Sequence, residues 1–378
     1  MSAKSFTTIG HETKDHPIYI EEWEQLAKEK LKKGPFDYVR SGAGDEKTLA
    51  ANRAAFDKWS IYPRVLRDVT DATTRTKLLN QEISLPLLLA PLGYQGIIHP
   101  DAECASARAA EKAGIPFVTS TVSTRSLEEV AEAAPTGKNW FQLYWSNNRE
   151  VSASMVSRAE AAGYQAIVVT VDTGLLGWRK SDFKNGFAPL KEAMGDANYR
   201  NDPAFRKSVP HWTEENIREE ILKNILHPNL VWEDLLFLRE HTLLPILVKG
   251  ILHPDDAEKA VDLGLDGIIV SNHGGRQLDG ALASIDALPA IAARVNKRVP
   301  LLVDSGFRSG SDLYKALALG ADAVLIGRPY IYGLAVSGEA GVTSIIKNLQ
   351  TELDLTLALS GANSINELST TNLIQTGC

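Results

Sequence analysis

The chain has 378 residues, of which 44% are hydrophobic and 23% charged, and its formal net charge is −7. This composition is typical of a globular protein, and the acidic balance argues against a general nucleic-acid surface, which needs clustered Lys and Arg. No apolar run approaches the ~18 residues of a membrane span, and the N-terminus lacks the apolar segment of a signal peptide. Cys104 and Cys378 do not stand in a metal-type spacing. We therefore expect a reducing, cytoplasmic location and neither a disulfide nor a zinc site.

Short apolar runs, rich in Leu and β-branched residues, alternate with helical patterns through most of the chain. Runs that are apolar on both faces are typical of strands in a parallel sheet covered by helices. Eight repeats of strand, helix and glycine favour a closed (β/α)8 TIM barrel, an α/β fold, over a doubly wound sheet. The eight runs are Leu85–Ala90, Pro116–Thr119, Trp140–Leu143, Ala166–Val171, Pro245–Val248, Gly267–Val270, Pro300–Val303 and Ala323–Ile326.

Helical patterns fill the intervals between these runs, and several end directly before a glycine, the usual left-handed stop. Residues 1–80 are expected to form an N-terminal helical extension, and residues 81–378 to form the barrel. The clearest predicted helices are Glu21–Lys32, Asp101–Ala113, Glu150–Ala162, Asp255–Leu263 and Ser311–Leu319.

One interval is much longer than the others. The starts of the fourth and fifth runs lie about 79 residues apart, whereas the other starts lie about 22 to 33 apart. The loop after strand four therefore holds roughly 50 extra residues, at about 174–229, more than a connection needs. An insertion at this end of a barrel predicts a lid over an active site. A structureless linker is the alternative.

Polar and charged residues follow the predicted strands at one end only, the C-terminal end, where barrels of this type carry their active sites. His273 is followed by Gly-Gly-Arg after strand six, and Asp172 directly follows strand four. A His beside an Asp and arginines suits proton abstraction from a hydroxy acid. Arg179 and Arg276 could each bind a carboxylate in a bidentate manner, although Arg179 would equally suit a solvated lid.

The loops after the last two strands read DSGFRSGSD and IGRPY. Gly306, Gly310 and Gly327 would let backbone N–H groups approach an anion, and Arg308 and Arg328 would supply charge. The helix beginning near Ser311 would add its positive end. These features predict a phosphate-bearing ligand, with turn glycines and surface arginines as the alternative.

Lys249 ends the fifth predicted strand, where a buried charge is costly unless it is paired. A fixed cation at that position suits a group that becomes anionic during a reaction. The alternative is a lysine whose ammonium group reaches the surface.

Several long motifs, in order, resemble the family of FMN-dependent α-hydroxy acid oxidases and dehydrogenases. They are FDYVRSGAGDE, APLGYQG, FQLYW, TVDTGLLGWR, LVKG, SNHGGRQLDG and DSGFRSGSDLYKALALGADAVLIGRP, and the resemblance runs from about Ile20 to Glu367. It implies FMN as the cofactor and a small L-2-hydroxy acid with O2 as substrates. The acidic net charge and the lack of a long apolar run predict neither a nucleic-acid nor a membrane partner. It also implies a homo-oligomer, a tetramer or an octamer.

The resemblance further implies a role for each matching residue. The expected catalytic residues are His273 as the base, Asp172 as its partner, Arg276 and Arg179 for the substrate carboxylate, and Tyr38 and Tyr144 as hydrogen-bonding partners of the substrate. Lys249 would stabilise the anionic reduced flavin. The residues expected to line or bind FMN are Leu92, Gly93, Ser120, Gln142, Thr170, Lys249, Ser271, Asp304, Gly306, Arg308, Gly327 and Arg328. No metal ligand is expected.

Details within the family point to its lactate branch. Gly93 stands where many relatives have Ala, and the GWR triplet Gly177–Arg179 and the segment NYRNDPAFRK are similar to lactate 2-monooxygenase. The segment ARVNKRVPLLVDSG is similar to lactate oxidase. An oxidase releases pyruvate and peroxide, whereas a monooxygenase retains them until they give acetate and carbon dioxide. The alternatives are a dehydrogenase that passes electrons to a quinone or another acceptor, and a flavin- or phosphate-ligand-binding protein without turnover.

Overall fold

The computed structural model describes residues 16–192, 194–225 and 227–376, and its centre is a closed barrel of eight parallel strands. Each barrel strand pairs with the next along the chain, and the eighth pairs with the first. The prediction of a (β/α)8 barrel is therefore confirmed. In chain order the barrel strands are Leu87–Leu89, Pro116–Ser120, Lys138–Tyr144, Ile167–Thr170, Ile246–Ile251, Gly267–Val270, Leu301–Val303 and Ala323–Ile326.

The apolar character of the strands on both faces has a direct cause in the packing. Alternate residues such as Val118, Trp140 and Val168 point into the barrel and form one buried cluster. Their strand neighbours, such as Phe117 and Ile167, point outward into a second buried cluster against the helices. Because successive strand side chains alternate between faces, a strand covered on both sides has no polar face.

A helix follows each barrel strand. The eight helices are Ala102–Ala113, Leu127–Ala133, Arg149–Ala161, Trp232–Arg239, Pro254–Asp262, Ser284–Val295, Gly310–Ala318 and Arg328–Leu359. Gly114 ends the first of them in the left-handed conformation at φ 67°, as the glycine stops predicted. The seventh helix begins at Gly310 rather than Ser311, because the Ser309 hydroxyl accepts from the N–H of Asp312 in a capping box.

The N-terminal part of the described chain packs on the barrel. Its helices are Ile20–Lys30, Lys33–Arg40 and Lys47–Ala54. The predicted helix Glu21–Lys32 was thus wrong at its end, because the backbone turns extended at Leu31 and Lys32 before the next helix begins. Two antiparallel strand pairs complete the fold, Trp59–Ile61 with Leu373–Gln375 and Thr76–Leu78 with Gln81–Ile83.

The insertion after the fourth barrel strand, residues 174–229, contains short helices that pack against the barrel. They are Lys180–Asn185, Ala197–Arg200, Pro203–Ser208 and Glu214–Ile225, with a 3-10 turn at Pro189–Glu192. The buried Asn198 donates to the carbonyls of Ser120 and Thr121 at 3.2 and 3.0 Å and accepts from the N–H of Leu127 at 2.8 Å. These contacts do not fit the alternative of a structureless linker.

Other sequence expectations concern the termini and the cysteines. Cys104 is buried and free, whereas Cys378 lies outside the described residues. The segment in which a signal peptide was sought also lies largely outside them. Within the described ranges, no helix is both long enough and apolar enough to cross a membrane.

Candidate active site

A cavity of about 560 Å³ opens at the C-terminal ends of the barrel strands, beneath the insertion. This volume lies within the ~300–1,000 Å³ of ligand pockets. Most of the predicted site residues line it, although they come from distant parts of the sequence. They are Tyr38, Leu92, Gly93, Tyr144, Arg179, Lys249, His273, Arg276, Asp304, Gly306, Arg308, Gly327 and Arg328.

The remaining predicted residues lie just behind this lining. Ser120, Gln142 and Thr170 are buried at the ends of the second, third and fourth barrel strands. Asp172 and Ser271 line an adjoining cavity of about 480 Å³. The structure thus brings the whole predicted set to one end of the barrel. In the described part of the chain, no group of three His, Cys, Asp or Glu side chains is placed to hold a metal ion.

His273 and Asp172 form a buried pair. The Nδ1 atom of His273 lies 3.0 Å from Oδ1 of Asp172. With the Nδ1 proton donated to the carboxylate, the lone pair of the neutral imidazole is on Nε2. Burial lowers the pKa of His273 below its usual 6.5, although Asp172 opposes that shift. Burial alone would raise the pKa of Asp172, but the facing His273 lowers it overall. The pair is a neutral base beside an ionised carboxylate at neutral pH.

The backbone around His273 is strained and held in place. His273 has a φ of 59°, in the left-handed region that a residue with a side chain rarely adopts. Its N–H donates to the Ser271 hydroxyl at 3.0 Å, and the next N–H, of Gly274, donates to the Ser305 hydroxyl at 3.0 Å. Backbone strain of this kind persists where surrounding contacts over-determine it, typically at functional sites.

Lys249 is a buried cation, and its two partners directly follow the sixth and seventh barrel strands. Its Nζ donates to the Ser271 hydroxyl at 2.9 Å and lies 3.0 Å from Oδ2 of Asp304. Asp304 in turn accepts from the Ser305 hydroxyl at 2.8 Å. The predicted alternative of a lysine that reaches the surface is wrong, because the residue is only 4% exposed.

Two arginines face the cavity from the His273 side. The guanidinium of Arg276 donates to the carbonyls of Tyr38 and Ser41 at 2.6 and 2.8 Å and lies 4.8 Å from the centre of the Tyr38 ring. Its second terminal nitrogen, Nη2, is buried without a hydrogen-bond partner. Burial, together with the nearby charge of Arg179, lowers the pKa of Arg276 to about 9. A buried, incompletely paired cation of this kind favours an anionic ligand.

A polar wall lies opposite. The Ser120 hydroxyl donates to Oε1 of Gln142 at 3.0 Å, while Nε2 of Gln142 is buried and has no hydrogen-bond partner. Gly93 lies beside this wall, where an added Cβ would be 2.4 Å from Cγ2 of Val122. Because buried N–H groups are normally hydrogen-bonded, the unpaired amide nitrogen of Gln142 indicates an acceptor on a bound ligand.

The loop after the seventh strand packs closely against the N-terminal helix Lys47–Ala54, which requires a glycine. At Gly306, with φ 93°, a Cβ would be 2.3 Å from the carbonyl oxygen of Asn52. Burial lowers the pKa of Arg308, and it lowers that of Arg328 to about 10. Gly327 and Arg328 begin the helix Arg328–Leu359, whose first N–H groups have no partner within the helix.

The predicted contribution of Gly310 and of the helix near Ser311 to the phosphate site was wrong. The N–H of Gly310 donates to Glu352 at 2.8 Å, and the N–H groups of Arg308 and Ser309 donate to Asp312 at 2.9 and 3.2 Å. The chain's own carboxylates therefore occupy this terminus. The helix that begins at the cavity belongs to the eighth strand instead.

Among the residues near the cavity that had no predicted role, three make specific contacts. Tyr94 lines it in a left-handed conformation, φ 61°, with its ring edge-to-face against Tyr38 at 6.0 Å. Arg53 donates to the Gly306 carbonyl and to Asp312. Gln277 follows the predicted Arg276 and contacts the insertion. Tyr94 lies in the motif APLGYQG and Gln277 in SNHGGRQLDG, so the family resemblance could have indicated both, whereas nothing in the sequence pointed to Arg53.

The residues present fit FMN. The unpaired Nε2 of Gln142 and the buried Lys249 suit the polar edge of its ring system. The buried cations Arg308 and Arg328 line the cavity at the start of the helix Arg328–Leu359, and they suit its phosphate. The observations that suit the ring system and those that suit the phosphate concern different residues and are independent of each other.

Comparison with known proteins agrees with this fit. The family model described as FMN-dependent dehydrogenase matches residues 27–375. The L-lactate oxidase of Lysinibacillus sphaericus is 51% identical over 95% of this chain and 93% of that protein. The 2-hydroxyacid oxidase 1 of Homo sapiens is 43% identical over 94% of this chain and 95% of that protein. A crystal structure of mandelate oxidase superposes with a TM-score of 0.86 at 40% identity, covering 96% of this chain and 99% of that one. The chain therefore belongs to the FMN-dependent α-hydroxy acid oxidase and dehydrogenase family and takes FMN as its cofactor.

Proposed function

We propose that this protein oxidises L-lactate with O2 as the electron acceptor and releases pyruvate and hydrogen peroxide. The observation that carries the proposal is one cavity holding the neutral base His273, paired with Asp172, beside the incompletely paired guanidinium of Arg276. A base and a carboxylate-binding cation in one pocket suit a small 2-hydroxy acid. The relatives named L-lactate oxidase, 51% and 46% identical, support lactate among such acids.

The substrate carboxylate would lie between Arg276 and Arg179. Both guanidinium groups line the cavity, and the charge of Arg179 helps to lower the pKa of Arg276. A bound carboxylate would relieve the repulsion between the two guanidinium groups and would accept a hydrogen bond from the unpaired Nη2 of Arg276. Burial raises the pKa of Tyr144, so its hydroxyl stays protonated and is available as a hydrogen-bond donor to the substrate. Tyr38 would contribute a second hydroxyl.

Nε2 of His273 would take a proton from the substrate. The imidazolium formed would be stabilised by Asp172, 3.0 Å from Nδ1. The chemistry that FMN supplies when bound is uptake of two electrons from the substrate and their return to O2. Lys249, held by Ser271 and Asp304, would place a positive charge where the cofactor becomes anionic. In sum, lactate and O2 give pyruvate and hydrogen peroxide.

The experiment is anaerobic reduction of the purified, yellow holoprotein by L-lactate, followed by admission of air and product analysis. Bleaching by L-lactate, recolouring in air within seconds, and one pyruvate and one peroxide for each O2 consumed are expected. Acetate and carbon dioxide in place of pyruvate and peroxide would identify a lactate 2-monooxygenase. Slow recolouring in air with rapid reduction of a dye would identify a dehydrogenase. A flavin that no short L-2-hydroxy acid bleaches would refute the proposal.

A further inference from the structure

The side-chain amide of Gln277 joins the loop after the sixth strand to the first turn of the insertion. Its Oε1 accepts from Nη2 of Arg179 and from the N–H of Gly177, both at 3.2 Å. Its Nε2 donates to the carbonyls of Asp172 and of Leu175, the latter at 2.8 Å. The uncharged side chain of Gln277 thus contacts both Asp172, the partner of His273, and Arg179, which faces the cavity.

The backbones are also close at this point, which limits how the insertion can lie. An added Cβ at Gly177 would be 2.4 Å from the carbonyl oxygen of Arg276 and 2.5 Å from that of Gln277. Nε of Arg179 donates to the same Arg276 carbonyl at 3.3 Å. The glycine permits the approach, and the Gln277 amide supplies the directional bonds.

From these contacts we propose that Gln277 is a positioning residue, which holds the Arg179 guanidinium toward the substrate carboxylate and ties the start of the insertion to the base loop. This inference rests on the proposed function, in which Arg179 binds the carboxylate. An amide suits the position because it orients the guanidinium without neutralising it. A carboxylate there would pair with Arg179 and compete with the substrate.

The first test is a double-mutant cycle on ligand binding in the holoprotein, with oxalate as the carboxylate probe and the flavin absorbance as the signal. Gln277→Ala is expected to raise the oxalate Kd about tenfold when Arg179 is present. In the Arg179→Met background the same change is expected to raise it less than about twofold, because coupled residues are not additive. Gln277→Glu is expected to raise the oxalate Kd more than Gln277→Ala does, because the new carboxylate would pair with Arg179. The control is Leu278→Ala, at an exposed neighbour in the same loop.

The second test is hydrogen exchange of the resting holoprotein, which needs no substrate. The peptide that covers residues 174–180 is expected to exchange about tenfold faster in Gln277→Ala than in the wild type, while barrel-strand peptides are unchanged. Unchanged exchange of that peptide, or equal effects on oxalate binding in both backgrounds, would overturn the inference. If the wild type is not reduced by any L-2-hydroxy acid, the proposed function fails, whereas the exchange result still decides whether Gln277 holds the insertion.

Discussion

Replacing Asp172 by Asn removes one negative charge from the pair with His273 and keeps its size. The carboxylate oxygen lies 3.0 Å from Nδ1, so the charges of the carboxylate and an imidazolium would be centred about 4 Å apart. With an effective dielectric constant of about 20, their attraction is about 4 kcal/mol. That attraction exists only after the proton has moved to His273. The rate of anaerobic reduction should therefore fall by about a thousandfold.

The same variant should shift the pH dependence. Burial, with smaller effects from Lys249 and Arg179, lowers the pKa of His273, while Asp172 raises it. The wild type should lose kcat/KM as the pH falls through an apparent pKa below 6.5, because protonated His273 cannot act as a base. Without Asp172 the pKa falls further. The acid limb should thus move to lower pH while the plateau also falls.

Stopped-flow reduction by L-lactate between pH 4.5 and 9 measures both effects. The matched control is Asp256→Asn, which makes the same chemical change at an exposed position on the helix Pro254–Asp262. Its rate and pH profile should equal those of the wild type. An Asp172→Asn variant with a plateau within threefold of the wild type would refute the role given to the pair. An acid limb that moves to higher pH would refute the sign of the electrostatic reasoning.

Three further changes test other parts of the cavity. Gly93→Ala should weaken FMN binding about tenfold in reconstitution titrations, because overpacking against Val122 costs about 1–3 kcal/mol, and Val122→Ala should restore part of the loss. Lys249→Met should lower the free energy of unfolding by about 3–5 kcal/mol in urea titrations, since it leaves Asp304 buried without its cation. Adding Asp304→Asn should recover stability but not the rate of flavin reduction by lactate. Arg276→Lys should raise the oxalate Kd about tenfold or more, because the single lysine nitrogen cannot both bond the Tyr38 and Ser41 carbonyls and bind the carboxylate.

The barrel could be predicted from the sequence because its physical cause is local. A strand such as Ile167–Thr170 is buried on both faces, and its first three residues are apolar as a result. A helix stop such as Gly114 needs a positive φ, which glycine provides. In a closed barrel the C-terminal ends of the strands lie at one end, so the sequence alone predicts that His273 and Asp172 lie close together.

Other parts of the site depend on contacts across long stretches of sequence. Residue pattern alone did not place Tyr38 in the site, because it lies in a helix that precedes the barrel and only the resemblance marked it. The terminus of the helix Gly310–Ala318 was assigned to a phosphate, since the pattern could not show that Asp312 and Glu352 occupy its N–H groups. Both carboxylates follow that terminus in sequence, and Glu352 reaches it only in the folded chain.

The cavity combines several buried cations with few anions, and this imbalance explains its two kinds of ligand. In the described chain, Arg276 and Arg328 donate to backbone carbonyls, which accept hydrogen bonds but do not neutralise charge. The pKa of each is lowered, first by burial, and then by Arg179 for the former and Arg308 for the latter. Burying unneutralised charge is unfavourable unless an anion compensates for it. A carboxylate beside Arg276 and a phosphate beside Arg308 would each supply that anion. Recognition of substrate and cofactor then has one electrostatic origin at two places in the same cavity.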